Sequence, residues 1–279
     1  MVGRPVNRLL PFLLLALAAC SFGGGGIAPF SPAPVAHVDE RDLEVPYVPT
    51  PRPVVAAMLD LAEVGTDDYL IDLGSGDGRI AIMAAQRGAR ALGVDLDPQR
   101  VAEAATAAGV AQVAERARFR RQDLFETPLR DASVVSLYLL PDVNMRLRPR
   151  LLTELRPGTR VVSHAFTMGD WRPDEQREVN AANIYLWIVP AVAEGRWMLE
   201  LADGRSWPLE MEQRFQDVSG ALAGRPLQDA ALRGRQLRFT IDLPGGPQTF
   251  RGIVEDAAIL PDPAAPPDAV PGWRARRIG

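Results

Sequence analysis

The stretch "YLIDLGSGDGRIAI", Tyr69 to Ile82, runs an apolar segment into three glycines that alternate with polar residues, and a second apolar segment leads into "GVDLDP" at Gly93. A short apolar run bounded by glycine reads as a buried strand. "RIAIMAAQRG" after it has helical spacing and a stop at Gly88, and "ARALGVDLD" reads as the next strand. Strand, helix, strand in this order requires parallel strands joined by right-handed crossovers, the start of a doubly wound sheet. Glycines at such a junction let the backbone approach a ligand at the carboxyl edge of the sheet.

Working outward, "VPYVPTPRPVVAAMLDLAEVG" places Val54, Val55, Met58, Leu59 and Ala62 on one helical face, with Thr50 as predicted N-cap and Pro51 at the first helical position. Downstream, "PQRVAEAATAAG" supplies a helix that Asp97 can cap, and "ARFRRQDLF", "ASVVSLYLLP" and "TRVVSHAF" supply strands three to five. A helix is predicted over "RLRPRLLTELRPG", leaving Asp142 and Asn144 on a loop after the fourth strand; "NIYLWIVP" closes the region. Beyond Pro190 the apolar residues alternate in short runs separated by Gly, Pro and Asp, as in antiparallel strands. The expected fold class is α/β: a Rossmann-like, doubly wound, mostly parallel sheet over residues 41–190, followed by a small antiparallel β domain over 191–279. Trp171, Trp187 and Trp197 read as packing residues, and the only histidines, His37 and His164, form no metal-binding cluster.

Charge narrows the ligand. "GDGRIA", Gly76 to Ala81, satisfies the dinucleotide fingerprint, so an NAD-dependent oxidoreductase is one reading. However, Asp72 ends the first strand, Asp77 sits in the glycine loop, and Asp95 and Asp97 end the second strand. A pyrophosphate wants amide donors and cations there, whereas a cationic ligand wants carboxylates. S-adenosylmethionine carries a sulfonium and an ammonium, and Asp95 can accept from both ribose hydroxyls.

At this point the chain resembles class I S-adenosylmethionine-dependent methyltransferases: "DLGSGDG" fits their D-x-G-x-G-x-G motif, "GVDLD" their acidic second-strand motif, and "QDLF" the motif whose Asp123 faces the adenine amino group. "PYVPTP", "YLLP" and "LRPGTRVVSH" are more narrowly similar to the Dot1-like and mitochondrial seven-stranded protein-lysine methyltransferases. The resemblance implies S-adenosyl-L-methionine as cofactor, held by Tyr47, Asp72, Gly74, Gly76, Gly78, Asp95 and Asp123, with Tyr138 at the acceptor. It implies N-methylation of a protein lysine or, failing that, of a small-molecule acceptor. "YLLP" departs from the N-P-P-Y pattern of amide and adenine methylases. His164, at the end of strand five, is open to reading as a base or as a structural histidine. A non-catalytic, membrane-tethered binding module that keeps the fold is a further alternative.

The 31 basic residues, all arginine, stand against 35 acidic ones for a net charge of −4, which gives no footprint for nucleic acid. Arg4 and Arg8 precede the apolar run Leu9 to Ala19, which ends in "LAAC"; this resembles the lipobox of bacterial lipoproteins. The expectation is a signal peptide over residues 1–20 with Cys20, the only cysteine, as acylation site, then a Gly/Pro tether over 21–40. That places the protein in the bacterial cell envelope, a lipoprotein facing the periplasm and touching membrane only through its lipid. A misassigned start would instead make it cytoplasmic, although the next methionine, Met58, lies inside the first helix.

Overall fold

The computed structural model describes residues 48–243 and 245–278. Helix α1 (Arg52–Leu61) leads into a seven-stranded sheet built from β1 (Tyr69–Leu73), β2 (Arg90–Asp95), β3 (Ala117–Arg121), β4 (Val134–Leu137), β5 (Arg160–His164), β6 (Glu175–Val179) and β7 (Ala182–Ile188). Crossover helices are α2 (Arg79–Gln86), α3 (Pro98–Val110) and α4 (Pro141–Glu154). The strand order is β3-β2-β1-β4-β5-β7-β6, with β1 to β5 parallel and β7 inserted antiparallel between β5 and β6. The order reverses between β1 and β4, so the carboxyl ends of those strands diverge and open a crevice.

Both faces of the sheet are covered, which is why its central strands read as unbroken apolar runs. On one face Val54, Val55, Met58 and Leu59 of α1 pack with Ile80 and Ala84 of α2 against Leu70, Val134 and Val162. On the other, Val143, Leu147 and Leu151 of α4 pack with Trp171 and Trp187 against Ile71, Val135 and Val161.

Residues 195–277 form a second, antiparallel sheet: β8 (Gly195–Glu200), β9 (Ser206–Arg214), β10 (Asp217–Leu222), β11 (Arg225–Pro226), β12 (Gln228–Arg233), β13 (Gln236–Leu243), β14 (Gly246–Val254), β15 (Ala258–Pro261) and β16 (Arg274–Arg277). Its order is β11-β10-β9-β8-β16-β15-β14-β13-β12. The two edge strands, β11 and β12, are consecutive in the chain and separated only by Leu227, whose N–H donates to Gly220 O at 2.9 Å. The one-residue link brings the two ends of the sheet together, so the sheet curls round as a barrel. Its interior is filled: Phe239 and Phe250 stack at 5.0 Å, and Trp273 meets both edge-on. Outward positions such as Arg196, Glu210, Glu212 and Arg238 are exposed and charged, the reverse of a barrel that faces lipid.

Several local expectations are corrected. Helix α1 takes Pro51, not Thr50, as its N-cap residue, with no side-chain cap bond. Helix α4 begins at Pro141, so Asp142 and Asn144 lie in its first turn and not on a loop; the signal was Pro at the first helical position with an acid beside it. Strands β6 ("EQREV") and β16 ("RARR") have no apolar alternation to betray them: four of the five β6 residues are exposed, and only Ala275 of β16 is buried. Asp97 does cap α3, accepting from Gln99 N at 2.8 Å.

Candidate active site

The glycine loop turns sharply from β1 into α2. Gly74, Gly76 and Gly78 all have positive φ (78°, 51° and 77°), a region that costs a side-chain-bearing residue steric strain. A Cβ on Gly78 would lie 2.6 Å from the Phe119 ring, and one on Gly74 would lie 2.8 Å from Leu139 Cδ2. The loop is tied to the second strand: Gly74 N and Ser75 N both donate to Val94 O at 2.9 Å, and Gly76 N donates to Asp95 Oδ2 at 2.8 Å.

Around this loop one cleft brings together Asp72, Gly74, Gly76, Asp95, Asp123 and Tyr138 from the sequence-predicted set; Gly78 stands behind it as the residue preceding α2. Tyr47 and Cys20 lie outside the described residues. Asp72 is buried at the end of β1, and the β1–β4 register sets it beside Ser136, whose hydroxyl donates to Asp72 Oδ1 at 2.7 Å. Its other oxygen, Oδ2, and the nearby Ser75 hydroxyl are buried with no partner among the described residues. Burial is the main force on the Asp72 carboxyl; with added repulsion from Asp95 and Asp77 it overcomes the Ser136 bond and raises the carboxyl to about 7. Asp95 accepts one backbone N–H on each oxygen, from Gly76 and from Asp97 at 3.0 Å, so each keeps a lone pair for a further donor. Asp123 uses Oδ1 to accept from Phe125 N at 2.8 Å.

Asp77 changes role. It is not an unbalanced carboxylate: Arg79 clamps it with contacts of 2.5 to 3.1 Å. It also accepts from Arg79 N at 3.2 Å, and so occupies the amino end of α2, where a dinucleotide's pyrophosphate would sit. Asp77 thus fills the place a diphosphate would take, and the orphaned Asp72 oxygen is the group left to meet a cationic ligand.

At the β4 end, Tyr138 is half-buried in the cleft wall, with the His164 ring 3.9 Å away and Phe166 stacked at 6.2 Å. A hydrogen bond of 3.2 Å joins His164 Nδ1 to Thr50 Oγ1, and Arg79 donates to Thr50 O at 2.8 Å. The predicted cap thus sits in the cleft wall and pins the segment before α1 over the glycine loop. His164 is buried behind Tyr138, outside the cleft lining, and burial lowers its pKa by penalising the charged form. Sequence reasoning missed Ser75, Ser136, Arg79 and Phe166, whose roles depend on contacts across strands and loops.

A sheet of order 3-2-1-4-5-7-6 with a glycine-loop cleft of this donor set defines a class I methyltransferase. Residues 72–175 match the family model described as the ANTKMT methyltransferase domain. The chain is 43% identical over 151 residues to a protein-lysine N-methyltransferase of Saccharolobus islandicus, covering 52% of this chain and 94% of that one. It is 40% identical over 132 residues to the mouse adenine nucleotide translocase lysine N-methyltransferase, covering 47% of this chain and 57% of the mouse protein. A crystal structure titled as an RNA methyltransferase from Salinibacter ruber with S-adenosyl-L-homocysteine is 51% identical, with a TM-score of 0.50, over 51% of this chain and 94% of that one. The chain belongs to the family of the Saccharolobus enzyme. It is an S-adenosylmethionine-dependent methyltransferase, and the oxidoreductase and binding-module readings fall away.

Proposed function

We propose that the chain transfers a methyl group from S-adenosylmethionine to the ε-amine of a lysine in another protein. The observation that carries this reading is the 43% identity to the archaeal protein-lysine enzyme across 94% of its length. The site supports it. Asp95 and the backbone of Gly74 and Gly76 are suited to hold the ribose, Asp123 the adenine amino group, and Asp72 the cationic methionine end. Tyr47, Tyr138 and Cys20 enter as the aromatic over the cofactor, the residue at the acceptor, and the lipidated anchor. When bound, the cofactor supplies an electrophilic methyl carbon on its sulfonium.

The acceptor amine, with an ordinary pKa of about 10.4, must lose its proton before it attacks. Tyr138, Leu139 and Val143 make that end of the cleft aromatic and apolar, with Phe166 stacked on Tyr138, and desolvation there favours the neutral amine. Catalysis then rests on orientation, without a dedicated base. RNA is the second reading, because the 51% identical crystal structure carries that title.

The test is transfer of a labelled methyl group from the cofactor to a lysate. Protease-sensitive label that hydrolyses to methyl-lysine supports the proposal; nuclease-sensitive label overturns it. Placement in the cell envelope through Cys20 is tested separately: Cys20→Ala should release the protein into detergent-free extracts. Wild-type protein in the cytosol with Met1 intact would refute both export and lipidation.

A further inference from the structure

Three crossovers of the main sheet carry helices; the β3–β4 and β5–β6 connections do not, and the second of these, residues 165–174, runs beside the Tyr138 end of the cleft. It leaves β5 at Ala165 with a φ of 65° and carries Phe166, the ring stacked on Tyr138. From its own sheet layer its first half is held by Ser163 Oγ to Phe166 O at 2.8 Å, Asn144 Nδ2 to Thr167 O at 3.4 Å and Arg148 to Met168 O at 2.9 Å, and its second half by Trp187 Nε1 to Trp171 O and Asp174 N to Leu186 O, both at 2.8 Å.

Its other side is covered by the barrel. Phe215, in the turn between β9 and β10, stacks on the buried Trp171 at 6.0 Å and has the guanidinium groups of Arg148 and Arg214 over its ring, 5.4 and 5.9 Å from its centre. Both arginines bond Asp170, Arg214 at 2.6 Å and Arg148 more closely. The next barrel residue, Gln216, donates to Arg172 O at 2.6 Å, and Asp217 pairs with Arg172 at 3.0 Å. The connection is thus gripped between α4 and one barrel turn, in the layer a crossover helix would otherwise fill.

We propose that the β9–β10 turn is a positioning element of the acceptor wall: Phe215 and Arg214 hold residues 166–172, and through Phe166 the orientation of Tyr138. The proposal rests on the reading of the Tyr138 end as the acceptor end. It gives the barrel a part in methyl transfer and makes the site incomplete without it.

The experiment uses the full chain with Arg214→Ala and Phe215→Ala, hydrogen exchange read by peptide, and calorimetric titration with S-adenosylhomocysteine. Arg214 is exposed, so its variant keeps the test open if Phe215→Ala fails to fold. Both variants should raise exchange in peptides spanning 165–172 and 138–148 at least about tenfold, while peptides 70–78 and 92–97 and the affinity for S-adenosylhomocysteine stay as in wild type. Phe215→Trp should restore the wild-type pattern. In the lysate assay, label transfer should fall while cofactor affinity holds, a split that loss of fold would not produce. Unchanged exchange at 165–172 in Arg214→Ala, or a rise spread evenly over the chain, overturns the proposal. Exchange and calorimetry need no acceptor, so a lysate in which nothing is labelled counts against the lysine reading alone.

Discussion

Asp72→Asn should make the ligand-free protein more stable at pH 8 and its cofactor binding weaker. Asp72 is 1% exposed, Oδ2 has no partner, and burial with the repulsion of Asp95 and Asp77 raises its carboxyl from 3.8 to about 7. Because the folded value lies above the unfolded one, the folded state binds the extra proton. Asp72's contribution is therefore most favourable below about pH 4, erodes as pH rises from about 4 to about 7, and is flat above. A difference of roughly three pH units at about 1.4 kcal/mol each corresponds to about 4 kcal/mol. Asparagine keeps the shape and an acceptor for Ser136 but never ionises. The variant should match wild type near pH 4 and exceed it by up to about 4 kcal/mol at pH 8, a Tm rise of roughly 8–15 °C for a domain of this size. Comparing the two proteins at each pH cancels the titrating groups that do not interact with Asp72. The same substitution removes the charge that would meet the ligand's cations, so S-adenosylmethionine affinity at pH 8 should fall at least about tenfold, or 1.4 kcal/mol. Calorimetric melts at pH 4 and 8, each with and without cofactor, read both effects. A Tm gain equal at the two pH values would refute the ionisation argument, and unchanged affinity would refute the pairing.

Asp95→Ala removes bonds to Gly76 N and Asp97 N as well as the ribose acceptor, and should cost about 2–4 kcal/mol, roughly 30- to 1000-fold in cofactor affinity; calorimetry showing less than threefold would place the ribose elsewhere. Gly78→Ala meets the Phe119 ring at 2.6 Å with φ at 77°, and should lower the urea midpoint by an amount equivalent to about 1–3 kcal/mol. A midpoint equal to wild type would mean that the β3 side yields freely. Tyr138→Ala should abolish most methyl transfer with cofactor affinity nearly unchanged, and if it instead loses binding and about 3–5 kcal/mol of stability together, Tyr138 is core.

What was legible in the sequence was local. Glycines and carboxylates at strand ends are adjacent in the chain to the strands that carry them, so "DLGSGDG" and "GVDLD" revealed the cleft before any contact was known. Thr50 was misplaced because Thr-Pro before an apolar stripe looks like a cap and first helical residue, whereas its hydroxyl meets His164, 114 residues on. Asp77 was counted as free charge although Arg79, two residues later, neutralises it; that pairing is local and could have been read. Strand β16 hides a single inward alanine among arginines that all point out or along the surface. Closure of the barrel depends on which strand meets which at the far ends of the sheet, and no window of sequence contains that information.

The composition bears on how transfer must be read. The chain has 31 arginines and no lysine, so methyl-lysine recovered from an incubation with purified enzyme comes from another protein, not from the enzyme modifying itself. A lipid-anchored enzyme outside the cytoplasm would also need S-adenosylmethionine delivered to it, because the cofactor is made inside. The two proposals therefore constrain each other: if Cys20 is acylated and the protein faces outward, label should appear on envelope proteins only when cofactor is supplied from outside. If label appears on cytosolic proteins in intact cells, the lysine reading stands and the exported location fails.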